Sequence, residues 1–197
     1  MKINSRIRMI TIVAMAGVMS AILMYYDIPL PFAPTFLKID ISELPAIVVT
    51  YAIGIIPGFI TIILKNALKL VFKPTTTAFI GELMNVCVGC IYVFIAGIIY
   101  KIKHDKIGAL ISLSISTLLT SIIATILNAV IMFPLYVKFY GMPMDAIIDM
   151  AVKTNPLVKD YYTMMFFCVF PFNIVKYVLV SAVTFIIYKK IRYIVKA

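Results

Sequence analysis

Charge is scarce in this 197-residue chain: Asp and Glu number 8 and Lys and Arg 18, together 13% of residues, against 63% hydrophobic and a mean hydropathy of +1.09. A water-soluble domain of this length would not sustain that balance. A nucleotide-binding loop is missing too, since none of the eight glycines begins Gly-x-x-x-x-Gly-Lys-Ser/Thr, so any use of ATP belongs to another chain. Cysteine and histidine are few. Cys87-Val-Gly-Cys90 has redox or zinc spacing, but it lies in an apolar run with only Cys168 and His104 besides, which points to small buried thiols and no metal. Acids are too dispersed for a membrane-embedded phosphatase or prenyl transferase, which needs them clustered: Glu82 alone falls within a span, and Asp145, Asp149 and Asp160 are spread along one loop. The expected protein is therefore not an enzyme. Basic residues form no single patch or stripe, which argues against nucleic acid, and no small-residue cleavage site follows the first apolar run, which reads as a retained helix.

What remains is apolar runs and their boundaries. Six can be marked, at about 8–26, 43–56, 57–73, 79–102, 107–137 and 162–191. The expected architecture is an all-α integral membrane protein of six transmembrane helices, a single domain over 1–197. Gly54-Ile-Ile-Pro57-Gly58 predicts a tight hairpin between the second and third helices. With a cytoplasmic N-terminus, Lys2, Arg6, Arg8, Lys101, Lys103, Lys106, Lys189, Lys190, Arg192 and Lys196 lie inside, and Lys38, Lys73, Lys138, Lys153 and Lys159 outside. That asymmetry predicts both termini inside, in a multi-pass cell-membrane protein. The longer connections, 27–42, 74–78 and 138–161, then face outward.

Polar side chains at membrane depth are costly and usually turn inward to a partner or a task. Here they are Lys65, Asn66 and Lys69 on the third helix, Glu82 and Asn85 on the fourth, Asn128 on the fifth, and Asn173 and Lys176 on the sixth. Helix direction puts nearly all of them in the outer half. Lys65 with Lys69, Glu82 with Asn85, and Asn173 with Lys176 each share a helix face. The pattern describes a pocket open to the outside. Asparagines also bridge helices structurally, and a structural ion pair is the expected role of Lys69 with Glu82. Ligand contact is expected of Asn128, Asn173 and Lys176, because no acid on the fifth or early sixth helix neutralises the lysine.

Residues 31–45, Pro-Phe-Ala-Pro-Thr-Phe-Leu-Lys-Ile-Asp-Ile-Ser-Glu-Leu-Pro, form a proline-punctuated aromatic and charged segment between two apolar spans. Together with Lys65-Asn-Ala-Leu-Lys69, Thr75-Thr-Thr-Ala-Phe-Ile-Gly-Glu-Leu-Met-Asn85 and Pro171-Phe-Asn-Ile-Val-Lys176, it resembles the riboflavin-specific S component of energy-coupling factor (ECF) vitamin transporters. The resemblance implies riboflavin bound as substrate, with no cofactor, near the outer face. It implies a site lined by Asn128, Asn173, Lys176, Asn85 and Glu82 and capped by the first loop through Phe36, Leu37 and Lys38. Phe133 and Phe170 are further candidate walls. The family's partners would be a transmembrane coupling subunit and two cytoplasmic ATPases. The small residues Ala14, Gly17 and Ala21, with Ala16 and Ser20, would let another helix approach the first helix closely, or pack within the bundle. The alternative ligands are FMN, for which Lys38, Lys73 and Lys153 are available cations, or another vitamin. In the loop, Lys38, Asp40 and Glu43 are expected to keep the outer side wet, so that residues 31–45 act chiefly as a lid.

Overall fold

The computed structural model describes residues 5–34, 37–75, 79–141 and 143–196. The elements in chain order are α1 (Ser5–Tyr25), β1 (Ile28–Pro29), β2 (Lys38–Ile39), α2 (Leu44–Ala52), α3 (Ile55–Phe72), α4 (Ile80–Ile102), α5 (Lys106–Leu127), α6 (Phe133–Tyr140), α7 (Met144–Thr154), α8 (Tyr161–Met164) and α9 (Phe170–Lys196). Two π-helical turns, Asn128–Met132 and Met165–Val169, join α5 to α6 and α8 to α9 without a break. Among the described residues, five helices are long and apolar enough to cross a membrane: Ser5–Tyr25, Ile55–Phe72, Ile80–Ile102, Lys106–Phe139 and Tyr161–Tyr188.

The sixth expected span is shorter than its apolar run. Helix α2 has nine residues, a rise of about 13 Å, which does not cross the roughly 30 Å of a hydrocarbon core. It ends at Gly54, whose φ of 147° is open to glycine and strained for other residues. This is the expected hairpin, and the backbone angle rather than lack of space requires the glycine, since nothing lies within 4 Å of a Cβ built there.

Two features depart from the all-α, loop-connected expectation. The first outer loop closes on a two-stranded antiparallel ribbon pairing Ile28 with Ile39 and Pro29 with Lys38. The 138–161 connection contains α7, which buries Ile147 and Ala151 and leaves Asp145, Asp149 and Lys153 exposed.

Packing divides into two principal apolar clusters. One joins Tyr51, Tyr92, Tyr100, Leu113, Tyr177, Val180 and Tyr188 along the bundle. The other gathers Ala33, Leu37 and Ile39 of the first loop with Ile147, Ala151, Val158, Met164 and Phe172, so the loop is seated on α7 and the start of α9. The Cys168 thiol donates to the Phe32 carbonyl at 3.4 Å, tying the loop at one further point. Large apolar side chains such as Ile56, Val71, Leu118 and Ile186 are exposed, as expected where lipid is the solvent. At the opposite end, the Asp105 carboxylate caps α5 by accepting the Gly108 N–H at 2.6 Å, which holds its carboxyl below the ordinary carboxylate range.

Helix α1 lies along α3, and its small residues make this possible. A Cβ on Gly17 would run into the Leu64 side chain. Ala16, Gly17, Ser20 and Ala21 are all buried; of the five small residues considered for a partner contact, Ala14 alone is exposed.

Candidate ligand-binding site

A cavity of about 320 Å³ opens at the end of the bundle that carries the long loops, within the size range of small-molecule sites. Its wall draws on many parts of the chain: Met24 and Asp27 after α1, Leu37, Lys38 and Asp40 of the first loop, Lys69 and Lys73 at the end of α3, and Glu82, Met84, Asn85 and Val88 on α4. Asn128 and Met132 come from the first π turn and Tyr136 from α6, and Phe172, Asn173, Lys176 and Tyr177 from α9. Of the residues read from sequence as ligand contacts, Asn128, Asn173, Lys176, Asn85, Glu82, Leu37 and Lys38 meet here. Phe36 lies outside the described residues. Phe133 is fully buried away from the cavity, edge-on to Tyr161 at 6.2 Å, and Phe170 does not line it either. Phe172, Tyr136 and Tyr177 supply its rings instead. Phe172 and Tyr177 directly flank Asn173 and Lys176 on α9, a signal that the abundance of aromatics masked, whereas Tyr136, eight residues from Asn128, left none.

Both central asparagines spend one amide hydrogen on their own helix. Asn128 Nδ2 donates to the Ala124 carbonyl at 2.7 Å, and Asn173 Nδ2 to the Val169 carbonyl at 2.8 Å. That fixes each rotamer and leaves the amide oxygen and one N–H for a ligand. Each residue also borders a π turn: Asn128 begins the first, and Asn173 bonds to the last residue of the second. Such turns recur at functional sites.

The mouth is ion-paired. Lys69 Nζ meets Glu82 Oε1 at 2.6 Å, the pair expected from their helices. Glu82 Oε2 accepts the Thr75 hydroxyl at 3.0 Å, and Thr75 Oγ1 accepts the Phe79 N–H at 3.1 Å, so Glu82 also anchors the start of α4. Lys38 and Lys73 lie 3.6 and 3.3 Å from Asp27. Lys153 does not line the cavity.

Two expectations are corrected at the base of the loop. Asp40 and Glu43 do not keep the loop wet: they are 7% and 0% exposed. Nor is Lys176 without an acid. Its Nζ lies 3.2 Å from Glu43 Oε1 and 3.5 Å from Asp40 Oδ2, while Lys65 Nζ donates to the same Glu43 oxygen at 2.9 Å and to Ser42 Oγ at 2.7 Å. The neutralising acids come from the loop, a long-range pairing that spacing along helices does not reveal. Asn66 is buried on α3 and does not line the cavity; its Nδ2 donates to the Ile62 carbonyl. Among the described residues no group of three or more His, Cys, Asp or Glu side chains is arranged to hold a metal.

The fold and the sequence both have known counterparts. A solved S component of a bacterial ECF transporter superposes with a TM-score of 0.75 over 98% of this chain and 100% of that one, at 24% identity. The riboflavin transporter RibU of Staphylococcus aureus (strain TCH60) is 29% identical over 96% of this chain and 92% of its own length. The riboflavin transporter FmnP of Bacillus subtilis (strain 168) is 26% identical over 95% and 93%. The family model for the ECF transporter substrate-specific component matches residues 8–188. With that match running from the first long helix through the last, the chain belongs to the substrate-specific components of ECF transporters.

Proposed function

We propose that this chain captures riboflavin in the loop-end cavity and serves riboflavin uptake as the substrate-binding subunit of an ECF transporter. The observation that carries the reading is the convergence of Asn128, Asn173 and Lys176 on one cavity that also presents Met84, Val88, Met132 and Phe172. Riboflavin's ring has an apolar methyl-bearing edge and a pyrimidine-like edge with one donor and several acceptors. The asparagines offer donors and acceptors, and the lysine donors only, while the apolar residues suit the ring faces and the methyl edge. Transporters named for riboflavin in two bacteria, similar along nearly their whole length, support the same ligand.

The cavity lies at the opposite end from Lys101, Lys103 and Lys106. Under the positive-inside rule this supports an external cavity, cytoplasmic termini, and α2 with its flanking loop completing a sixth, short membrane segment of one domain in the cell membrane. The first loop acts as lid through Leu37. The chain performs no chemistry on its ligand and needs no cofactor. A transmembrane coupling subunit and two cytoplasmic ATPases supply the energy, and the outward face of α1 at Ala14, Met15, Val18 and Met19, an apolar concavity, is the surface offered to the coupling subunit.

Each lysine at the mouth already faces Asp27 or Glu82, which favours the uncharged ribityl chain of riboflavin over the phosphate of FMN. The test is to purify the chain in detergent, record its visible spectrum and titrate it with riboflavin and FMN. A flavin band, or quenching of riboflavin fluorescence with weaker FMN binding, is expected; a colourless protein that binds neither would defeat the proposal.

A further inference from the structure

We infer that Glu43, which does not itself line the cavity, is the positioning residue that aims the Lys176 ammonium at the ligand. The inference rests on the riboflavin reading above and names a residue behind the wall on which recognition depends.

Glu43 occupies the N-cap position of α2, yet its side chain makes no capping hydrogen bond. Oε2 is buried and has no hydrogen-bond partner among the described residues. Helix capping therefore does not account for a fully buried carboxylate, whose desolvation costs several kcal/mol in the absence of good partners. Its contacts are two ammonium groups, Lys65 at 2.9 Å and Lys176 at 3.2 Å, both at Oε1. Only Lys176 of these two reaches the cavity.

The two arms have different consequences. An ammonium carries three N–H donors. Glu43 and Asp40 stand within 3.5 Å of the Lys176 nitrogen from the loop side, which directs the remaining donor capacity toward the cavity. Lys65, on α3 and away from the cavity, balances the second carboxylate. Two lysines and two acids make the cluster neutral, suited to an uncharged ring edge. Asp40 and Glu43 both belong to the segment that leads from β2 into α2, and the Ser42 N–H donates to Asp40 Oδ1 at 2.8 Å. The lysine's aim is thus set by the base of the lid.

The experiment measures the riboflavin Kd by fluorescence quenching, and thermal unfolding, for wild type, Glu43→Gln, Glu43→Asp and Lys65→Met in detergent. Glu43→Gln should raise Kd about 30-fold, the scale for removing one partner of a buried charge pair at a binding site. Lys65→Met should lower the unfolding temperature yet leave Kd within about 3-fold, because the Glu43 to Lys176 arm survives. Glu43→Asp, which keeps the charge but withdraws it by a methylene, should raise Kd about 10-fold. Equal losses of affinity in Glu43→Gln and Lys65→Met would overturn the assignment, leaving Glu43 a structural tie. Should either of those two not fold, Glu43→Asp decides, and a Kd within about 3-fold of wild type defeats the inference. Failure of the wild type to bind riboflavin would defeat the underlying reading instead.

Discussion

The cavity half of the bundle and the half beneath it both bury polar groups at membrane depth, by opposite means. At the cavity end, beside the amides of Asn128 and Asn173, they include full charges held in ion pairs, Lys65 with Glu43 behind the wall, Lys176 with Glu43 and Asp40, and Lys69 with Glu82. Below it they are neutral hydroxyls in pairs: Tyr51 with Ser112 at 2.6 Å, Tyr92 with Ser181 at 2.8 Å, Ser181 with Thr117 at 2.7 Å, and Tyr100 with Tyr188 at 2.8 Å. The Tyr51 and Tyr100 rings also stack at 4.1 Å. Hydroxyl pairs lose little when one partner goes, whereas a charge left alone is expensive. The charged half is therefore the fragile one, and also the one able to offer strong donors to a ligand.

The largest expected effect follows from that fragility. Lys65→Met should destabilise the protein by about 3 to 5 kcal/mol, since it leaves one buried lysine facing two acids; denaturation in detergent reads it, and a loss no larger than that of a hydroxyl deletion would erase the contrast between halves. Next, Asn173→Ala should weaken riboflavin binding by about 1 to 3 kcal/mol with near-normal yield, and a loss of yield at unchanged affinity would make that residue structural. In the lower half, Ser181→Ala should cost about 1 kcal/mol of stability and leave affinity unchanged, so any shift in Kd would show that the hydroxyl pairs are coupled to the cavity. Smallest is a surface effect. The Thr163 backbone N–H bonds the exposed Asp160 carboxylate and holds its pKa below the ordinary 3.8. A depressed carboxylate stabilises above its unfolded value and loses that contribution as pH falls through the lower folded one. Asp160→Asn should therefore remove a small acid-side loss of stability below about pH 4, measurable as unfolding temperature against pH.

Much of the fold was legible because lipid simplifies the pattern: long apolar runs have one reading, and the five spanning helices fall within a few residues of them. The pocket residues were legible for a related reason, as polar groups in lipid are few and helix direction gives their depth. What was hidden depended on contacts between distant segments. Asp40 and Glu43 look like ordinary wet loop acids until Lys65 and Lys176 are seen to close on them. Helix α7 carries a readable stripe in Ile147, Ile148 and Ala151, but its charges suggested a plain loop. The β ribbon has two residues per strand, too few for alternation to register.

The π turns leave no mark in composition either, yet they govern which changes in chain length the bundle will accept. Asn128 and Tyr136 are eight residues apart, about 80° out of phase in a regular α-helix at 100° per residue, but both border the cavity because Asn128–Met132 absorbs an extra residue. Removing Val130, which is 67% exposed, should straighten that turn and keep its two flanks aligned, with flavin binding retained. Removing one residue between Thr117 and Asn128 instead should swing the Ser112 and Thr117 face of α5 about 100° away from Asn128 and abolish folding.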